Sequence, residues 1–366
     1  MSVSSEIELI TIDSDDDHEE IEIITLESDD EFEGFETLDG CNKPYIIADL
    51  VTPSERKRLG AAAPAHPVRL INRLNDKGIR PASYAYATEC VYGHAAEDKK
   101  RFTDFCGCED GRCVPSKCLC IKHTTIKVKK GKIDVKSMIS CDEHLLVECS
   151  EECACRGECQ RDQIIKPAIQ FQCDIEMSVH AGFTVITREP IPAGSYIDEF
   201  TGEHLNTDEM CLERKTVNYS FKITCPDSSG RQIIIDPYFS GNITRFFNHS
   251  CESNLSPFRF YKVHRRQLHP HLGFYAKHDI EADAELTIDY GPNWWIDAYK
   301  SGNVSCCQCG TPSCIFPKNH TKEELDEDLK KLEKEYKNNE QGALKRRRAQ
   351  KGGRKAVKSK RSRKER

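Results

Sequence analysis

Nine cysteines fall in two compact blocks, Cys106-x-Cys108-x4-Cys113-x4-Cys118-x-Cys120 and Cys149-x3-Cys153-x-Cys155-x3-Cys159. No other feature of the chain restricts its fold so tightly. Clustered thiols are either oxidised in pairs or share metal ions, and the chain's 20 cysteines make the choice unavoidable. The first forty residues show no basic segment followed by an apolar one, so a secretory leader is not expected. No apolar run approaches the ~18 residues of a membrane span. A reducing compartment, and therefore thiolate–zinc chemistry, is the expectation. Nine thiolates can satisfy the twelve coordination positions of three zinc ions if three sulfurs bridge. One-residue gaps keep neighbouring sulfurs close enough to share metal. Two simple zinc ribbons with a spare thiol are the alternative. Cys141, between the blocks, reads as a spectator. An all-cysteine donor set leaves no open coordination position, which points to a structural role.

A third group, Cys307-x-Cys309-x4-Cys314, offers three donors and needs a fourth. Adjacent Cys306 is a poor choice, because neighbouring residues seldom point at one metal. Cys251 is the better one. It sits in the segment 241–255, Gly-Asn-Ile-Thr-Arg-Phe-Phe-Asn-His-Ser-Cys-Glu-Ser-Asn-Leu, which concentrates polar groups that must be paired if buried. Zinc held by Cys251, Cys307, Cys309 and Cys314 would pin a C-terminal flap onto that loop.

The charge is strongly polarised along the chain. Residues 1–39 hold sixteen Asp or Glu and no Lys or Arg, whereas 345–366 hold thirteen Lys or Arg and one Glu. Both ends read as solvated tails. The acidic head repeats at a fourteen-residue offset: the run from Ile7 to Asp16 is echoed from Ile21 to Asp30. Each copy is a short aliphatic segment followed by Ser and acids, suited to adding a strand to a partner's sheet edge. Both resemble SUMO-interacting motifs, with Ser14 and Ser28 as candidate phosphorylation sites that would strengthen the acidic flank. SUMO or a SUMOylated protein is the partner this implies. The basic tail reads as a nuclear-import signal or a nucleic-acid contact.

Between the tails, the expected organisation is an acidic head over 1–40, a Pro- and Ala-rich linker over 41–66, and a dense strand-rich body from 67 to about 316. Thr321-Lys322-Glu323-Glu324 is a capping box that opens a helix within 319–342. Leu325, Leu329, Leu332 and Tyr336 form its apolar stripe, too short for a coiled coil, so a surface helix is expected. A basic tail over 343–366 completes the chain.

Taken together, these motifs resemble the SET-domain histone lysine methyltransferases that carry Cys-rich pre-SET and post-SET flanks, and within them the group acting on lysine nine of histone H3. The nine-cysteine blocks resemble the pre-SET zinc cluster. Gly241–Leu255 resembles the Asn-His-Ser-Cys strand, and Glu285-Leu286-Thr287-Ile288-Asp289-Tyr290 the strand that pairs with it. Cys251, Cys307, Cys309 and Cys314 resemble the post-SET zinc site. The resemblance implies a mostly β fold with short helices and a pseudoknot, divided into pre-SET over 67–162, SET over 163–291 and post-SET over 292–318.

It also implies S-adenosylmethionine as cofactor, three zinc ions in pre-SET and one in post-SET, the histone H3 tail and chromatin as partners, and a nuclear, chromatin-bound location with no membrane association. Tyr290 would be catalytic. Gly182, Phe183, Thr184, Tyr219, Arg245, Asn248 and His249 would contact the cofactor, the last two through both main chain and side chain. Phe200, Phe221 and Ile288 would line the lysine channel.

The sequence departs from the family pattern at three of these positions. Thr184 replaces the second glycine of a Gly-Trp-Gly loop, Phe200 stands where tyrosine is usual, and Ile288 where Phe or Tyr is usual. A channel with less aromatic bulk and fewer hydroxyls is expected to admit a dimethylamine and favour higher methylation states. Asp283-Ala284 in place of Gly-Glu is a milder change, expected in a turn. The same departures also fit a catalytically weak or inactive SET-fold chromatin scaffold.

Overall fold

The computed structural model of the chain describes residues 45–49, 51, 53–72, 85–92, 118, 121–122, 124–139, 145–147, 164–166, 168–178, 182–206, 220–224, 232–264 and 267–338. Among them, strands dominate and helices are few and mostly short. The acidic repeats and the basic tail lie outside the described residues. So do Tyr219, Cys141 and every cysteine of the two blocks except Cys118, which is fully buried.

Three four-stranded sheets make up the body. The first orders Tyr45–Asp49, Arg69–Asn72, Cys173–Ser178 and Gly182–Thr187, with an antiparallel, a parallel and an antiparallel pairing in turn. The second is built on the hairpin Leu255–His264/Gln267–Ala276, whose ten registered pairs form the longest ladder described. Tyr196–Glu199 flanks that hairpin antiparallel and Leu145–Val147 parallel. In the third, Gln232–Asp236 lies between Phe221–Thr224 and Glu203–Asn206, and Val91–Tyr92 adds parallel to the last of these.

The strand sequences show why they sit centrally. Ile233, Ile234 and Ile235 are consecutive and all buried, so both faces of that strand are covered. The main core takes Ile175, Val185, Ile197, Ile235, Ile243, Phe274 and Leu286, each fully buried. Each such side chain contributes on the order of 1.5–3 kcal/mol. Gly202 is required where two strands close on each other, because a Cβ there would lie 2.6 Å from the Asp236 carbonyl oxygen.

The linker expected over 41–66 is structured. Tyr45–Asp49 pairs with Arg69–Asn72, and a helix covers Pro53–Leu59. Its prolines were misleading: Pro53 opens the helix, where a missing N–H costs nothing.

The C-terminal helix spans 322–338. Its capping box forms as expected: Thr321 N donates to Glu324 Oε2 at 2.7 Å and Glu324 N to Thr321 Oγ1 at 3.3 Å. Leu325, Leu329 and Leu332 pack with Trp295 and Phe316. Tyr336 leaves the stripe and accepts a hydrogen bond from Asn293 Nδ2. No described helix is long and apolar enough to cross a membrane.

Candidate active site

The site is assembled where the segment 241–255 crosses the segment 285–290. Asn242 caps the turn Ile243–Phe246, its Oδ1 accepting from Thr244 N at 3.1 Å. Its Nδ2 donates to the Glu199 carbonyl at 2.8 Å, which fixes the turn to the end of strand Tyr196–Glu199. The chain then extends, and Asn248–His249 pairs parallel with Thr287–Ile288. Ser250 N donates to the Ile288 carbonyl at 3.0 Å, while Asn254 bridges the Glu285 carbonyl and Thr287 N. A parallel pair between such distant segments is the crossing expected of the pseudoknot.

Tyr290 follows directly. Its hydroxyl donates to the Phe247 carbonyl at 3.0 Å and its amide to His249 Nδ1 at 3.2 Å. An acceptor Nδ1 places the proton of a neutral imidazole on Nε2, which lies 3.3 Å from Cys251 Sγ. The His249 side chain is 6% exposed. Its ring therefore joins Tyr290 to the cysteine flap.

Phe200, Phe221, Ile288 and Tyr290, separated in sequence, line one cavity of about 330 Å³. Thr244, Arg245, Phe247 and Trp294 share the lining, as do Ser220, Lys222, Asn293 and Asp297. The rings interlock edge to face: Phe200 on Phe221 at 4.9 Å, and Trp294 on Tyr290 at 4.7 Å. Trp294 was not anticipated. It opens no motif, and only the helix Pro292–Lys300 brings it back over Tyr290.

A second group forms beside the crossing. Asn248 Nδ2 donates to the Phe183 carbonyl at 3.1 Å and to Glu285 Oε1 at 3.3 Å. The Thr184 hydroxyl donates to the same carboxylate oxygen. Threonine in place of glycine is thus accommodated in strand Gly182–Thr187, buried and paired, with Glu285 as its partner. The φ of +70° at Gly182 favours glycine, and a Cβ there would meet nothing within 4 Å, so the backbone borders open space. Phe183 packs edge-on against Phe246 at 6.1 Å, and the Arg245 guanidinium lies 5.4 Å from the Phe246 ring centre.

Cys251, Cys307, Cys309 and Cys314 place their sulfurs within 4.8 Å of one another. Cys306 is not among them; its sulfur accepts from Gln308. Hydrogen bonding from Cys307 holds the Cys251 thiol well below its usual value, against the opposing effect of burial. Four converging sulfurs of this kind fit a tetrahedral metal ion. The Ile315 amide donates to Cys251 Sγ at 3.4 Å, as outer-shell donors do at thiolate sites.

A β fold crossed by its own C-terminal strand, with an aromatic cavity ending at a tyrosine and a four-thiol flap beside it, defines the SET class. The SET domain family matches residues 182–291 and the Pre-SET motif residues 61–161. A probable histone-lysine N-methyltransferase of Caenorhabditis elegans, set-23, is 31% identical over 221 residues, which make up 57% of this chain and 84% of that protein. Human histone-lysine N-methyltransferase EHMT1 is 28% identical over 252 residues, 68% of this chain and 19% of that protein. The chain thus spans about a fifth of the length of that relative. The crystal structure of Arabidopsis thaliana SUVH6 in complex with SAM superposes with a TM-score of 0.52 at 24% identity, covering 68% of this chain and 53% of that one. The chain belongs to the SET-domain histone-lysine methyltransferase family.

Proposed function

We propose that the protein is an S-adenosylmethionine-dependent protein-lysine N-methyltransferase that acts on the histone H3 tail at the lysine-nine class of site. Its setting is repressive chromatin in the nucleus, and its products are mainly di- and trimethylated. The observation that carries this reading is the Tyr290 hydroxyl, fixed by Phe247 on the wall of an aromatic cavity that also holds Phe200, Phe221 and Ile288.

The cofactor, when bound, supplies a methyl group on a sulfonium centre. The residues beside Gly182 fit such a group: open space at the glycine, an apolar Phe183–Phe246 wall, and Asn248 fixed by Phe183 and Glu285. SUVH6, which shares the fold, is in complex with that compound. Loss of water in an apolar channel disfavours an ammonium and so lowers the pKa of an entering lysine, which must lose its proton to act as nucleophile. A rigid channel supplies orientation, the largest demand of an in-line displacement. Tyr290, held through both its amide and its hydroxyl, keeps its oxygen at a fixed place beside the reacting amine. The structural ion at Cys251, Cys307, Cys309 and Cys314 would be zinc, given four sulfur donors.

Radiolabelled methyl transfer to a panel of histone H3 tail peptides tests the reading, with Tyr290→Phe as control. Transfer to the lysine-nine peptide well above that control is expected. Transfer no greater than the control would replace the enzyme with a SET-fold scaffold.

A further inference from the structure

Away from the cavity and from the four-thiol flap, four buried side chains converge. Cys90 Sγ and one nitrogen each of His204 and His271 lie within 4.8 Å of one another. Glu199 joins them: its Oε1 is 3.2 Å from Cys90 Sγ and 2.5 Å from His271 Nδ1. The four residues are 5%, 1%, 1% and 2% exposed in the order Cys90, His204, His271, Glu199. We propose that Cys90, Glu199, His204 and His271 form a further zinc site, clamping the Pre-SET segment to the SET body.

Charge and donor chemistry both favour this assignment. A carboxylate and a thiol among two imidazoles, all excluded from water, are costly to ionise without a counter-charge. One divalent ion balances a thiolate and a carboxylate, and neutral imidazoles complete the set without adding charge. Zinc takes thiolate, imidazole and carboxylate donors at about 2.0–2.3 Å. Tetrahedral donors at that range stand roughly 3–4 Å apart; those of Cys90, His204 and His271 lie within 4.8 Å of one another, and Glu199 meets two of them at 3.2 and 2.5 Å. Ligating histidines hold a hydrogen-bond partner on the second ring nitrogen, which fixes the tautomer. His271 has one when its Nδ1 faces the ion, because Nε2 lies 2.8 Å from the Tyr92 hydroxyl. Phe260 stacks on the His271 ring at 5.1 Å and Tyr92 lies edge-on to His204 at 5.0 Å, so both rings are held in place.

The position gives such an ion a purpose. Cys90 precedes strand Val91–Tyr92, inside the residues matched to the Pre-SET motif. Glu199, His204 and His271 come from three strands of the SET match. The ion would join two of the three main sheets, directly behind Phe200. The Glu199 carbonyl in turn anchors Asn242, and through it the turn that leads to Asn248.

The test is a zinc inventory on the purified full chain, by inductively coupled plasma mass spectrometry, combined with zinc-edge X-ray absorption. For the wild type, a first shell of sulfur mixed with nitrogen or oxygen is expected. The double variant Cys90→Ser/His204→Gln is expected to lose one zinc per chain and the light-atom shell together, whereas Tyr290→Phe loses neither. A sulfur-only shell in the wild type overturns the proposal whether or not the double variant folds. So does a folded double variant that keeps its full zinc content, or one whose light-atom shell persists.

Discussion

The Tyr290 hydroxyl donates to the main-chain carbonyl of Phe247, 43 residues earlier in the chain, at 3.0 Å. The bond ties the end of one crossing segment to the other. Tyr290→Phe should therefore keep the ring packed on Trp294 and lose little stability, about 1 kcal/mol. Methyl transfer should fall by at least about 100-fold, the scale of a lost proton-handling or positioning hydroxyl. Thermal melting and radiolabel incorporation on the same preparation separate the two effects.

Channel width should set the product. Phe200 is packed edge-on against Phe221, and Ile288 contributes no ring to the cavity. Ile288→Tyr, or Phe200→Tyr, should shift the product distribution toward monomethyl-lysine by narrowing the space or adding a hydroxyl that restrains a methylated amine. Mass spectrometry of an H3 peptide after exhaustive reaction reads this directly. A wild type that stops at monomethyl-lysine would remove the premise.

Metal removal should act on Tyr290 through His249. Chelation would release the sulfurs of Cys251, Cys307, Cys309 and Cys314, and with them the helix 322–338 that packs on Trp295 and Phe316. Hydrogen exchange should rise across 292–338 before it rises in the hairpin 255–276. His249→Phe, which loses both the Tyr290 amide and the Cys251 contact, should lower metal affinity at this flap about 10- to 100-fold. Competition with a chromogenic chelator measures the change.

Acid sensitivity should be traceable to Asp174. Its side chain is fully buried; burial pushes the carboxyl up, but hydrogen bonds from Arg69 and Arg188 outweigh this and hold it below the usual value. A depressed folded-state pKa stabilises above the unfolded value of about 3.9, and the contribution disappears as pH falls below it. Asp174→Asn should cost on the order of 2 kcal/mol at pH 7 and show a flatter decline below pH ~4 than the wild type. Urea unfolding of both proteins from pH 7 to pH 3 gives the difference, which cancels the shared loss of metal in acid.

Much of the site was legible because its signals are local. The run Asn248-His249-Ser250-Cys251 and the Tyr290 segment are contiguous, and the spacing of Cys307, Cys309 and Cys314 demands a fourth donor that Cys251 supplies. The capping box at Thr321 is local too. What escaped was made by tertiary contact. Cys90, Glu199, His204 and His271 share no spacing, and only the meeting of two sheets brings them together. Trp294 reaches the cavity through a helix turn, and the strand Tyr45–Asp49 exists because Arg69–Asn72 is there to receive it. The contacts of the His249 ring escaped for a related reason, since sequence does not show which way an imidazole faces.

The register Asn248↔Thr287 and His249↔Ile288 also dictates an order of events during synthesis. A nascent chain released as far as Leu286 carries the whole segment 241–255 and most of the core, yet not Tyr290. The loop must wait, with its Asn and His lacking their partner strand, until Thr287 and Ile288 have been made, more than three quarters of the way along the chain. The crossing and its Tyr290 wall are therefore withheld from every N-terminal fragment that stops before residue 290, a chain that can collapse but has no tyrosine to place.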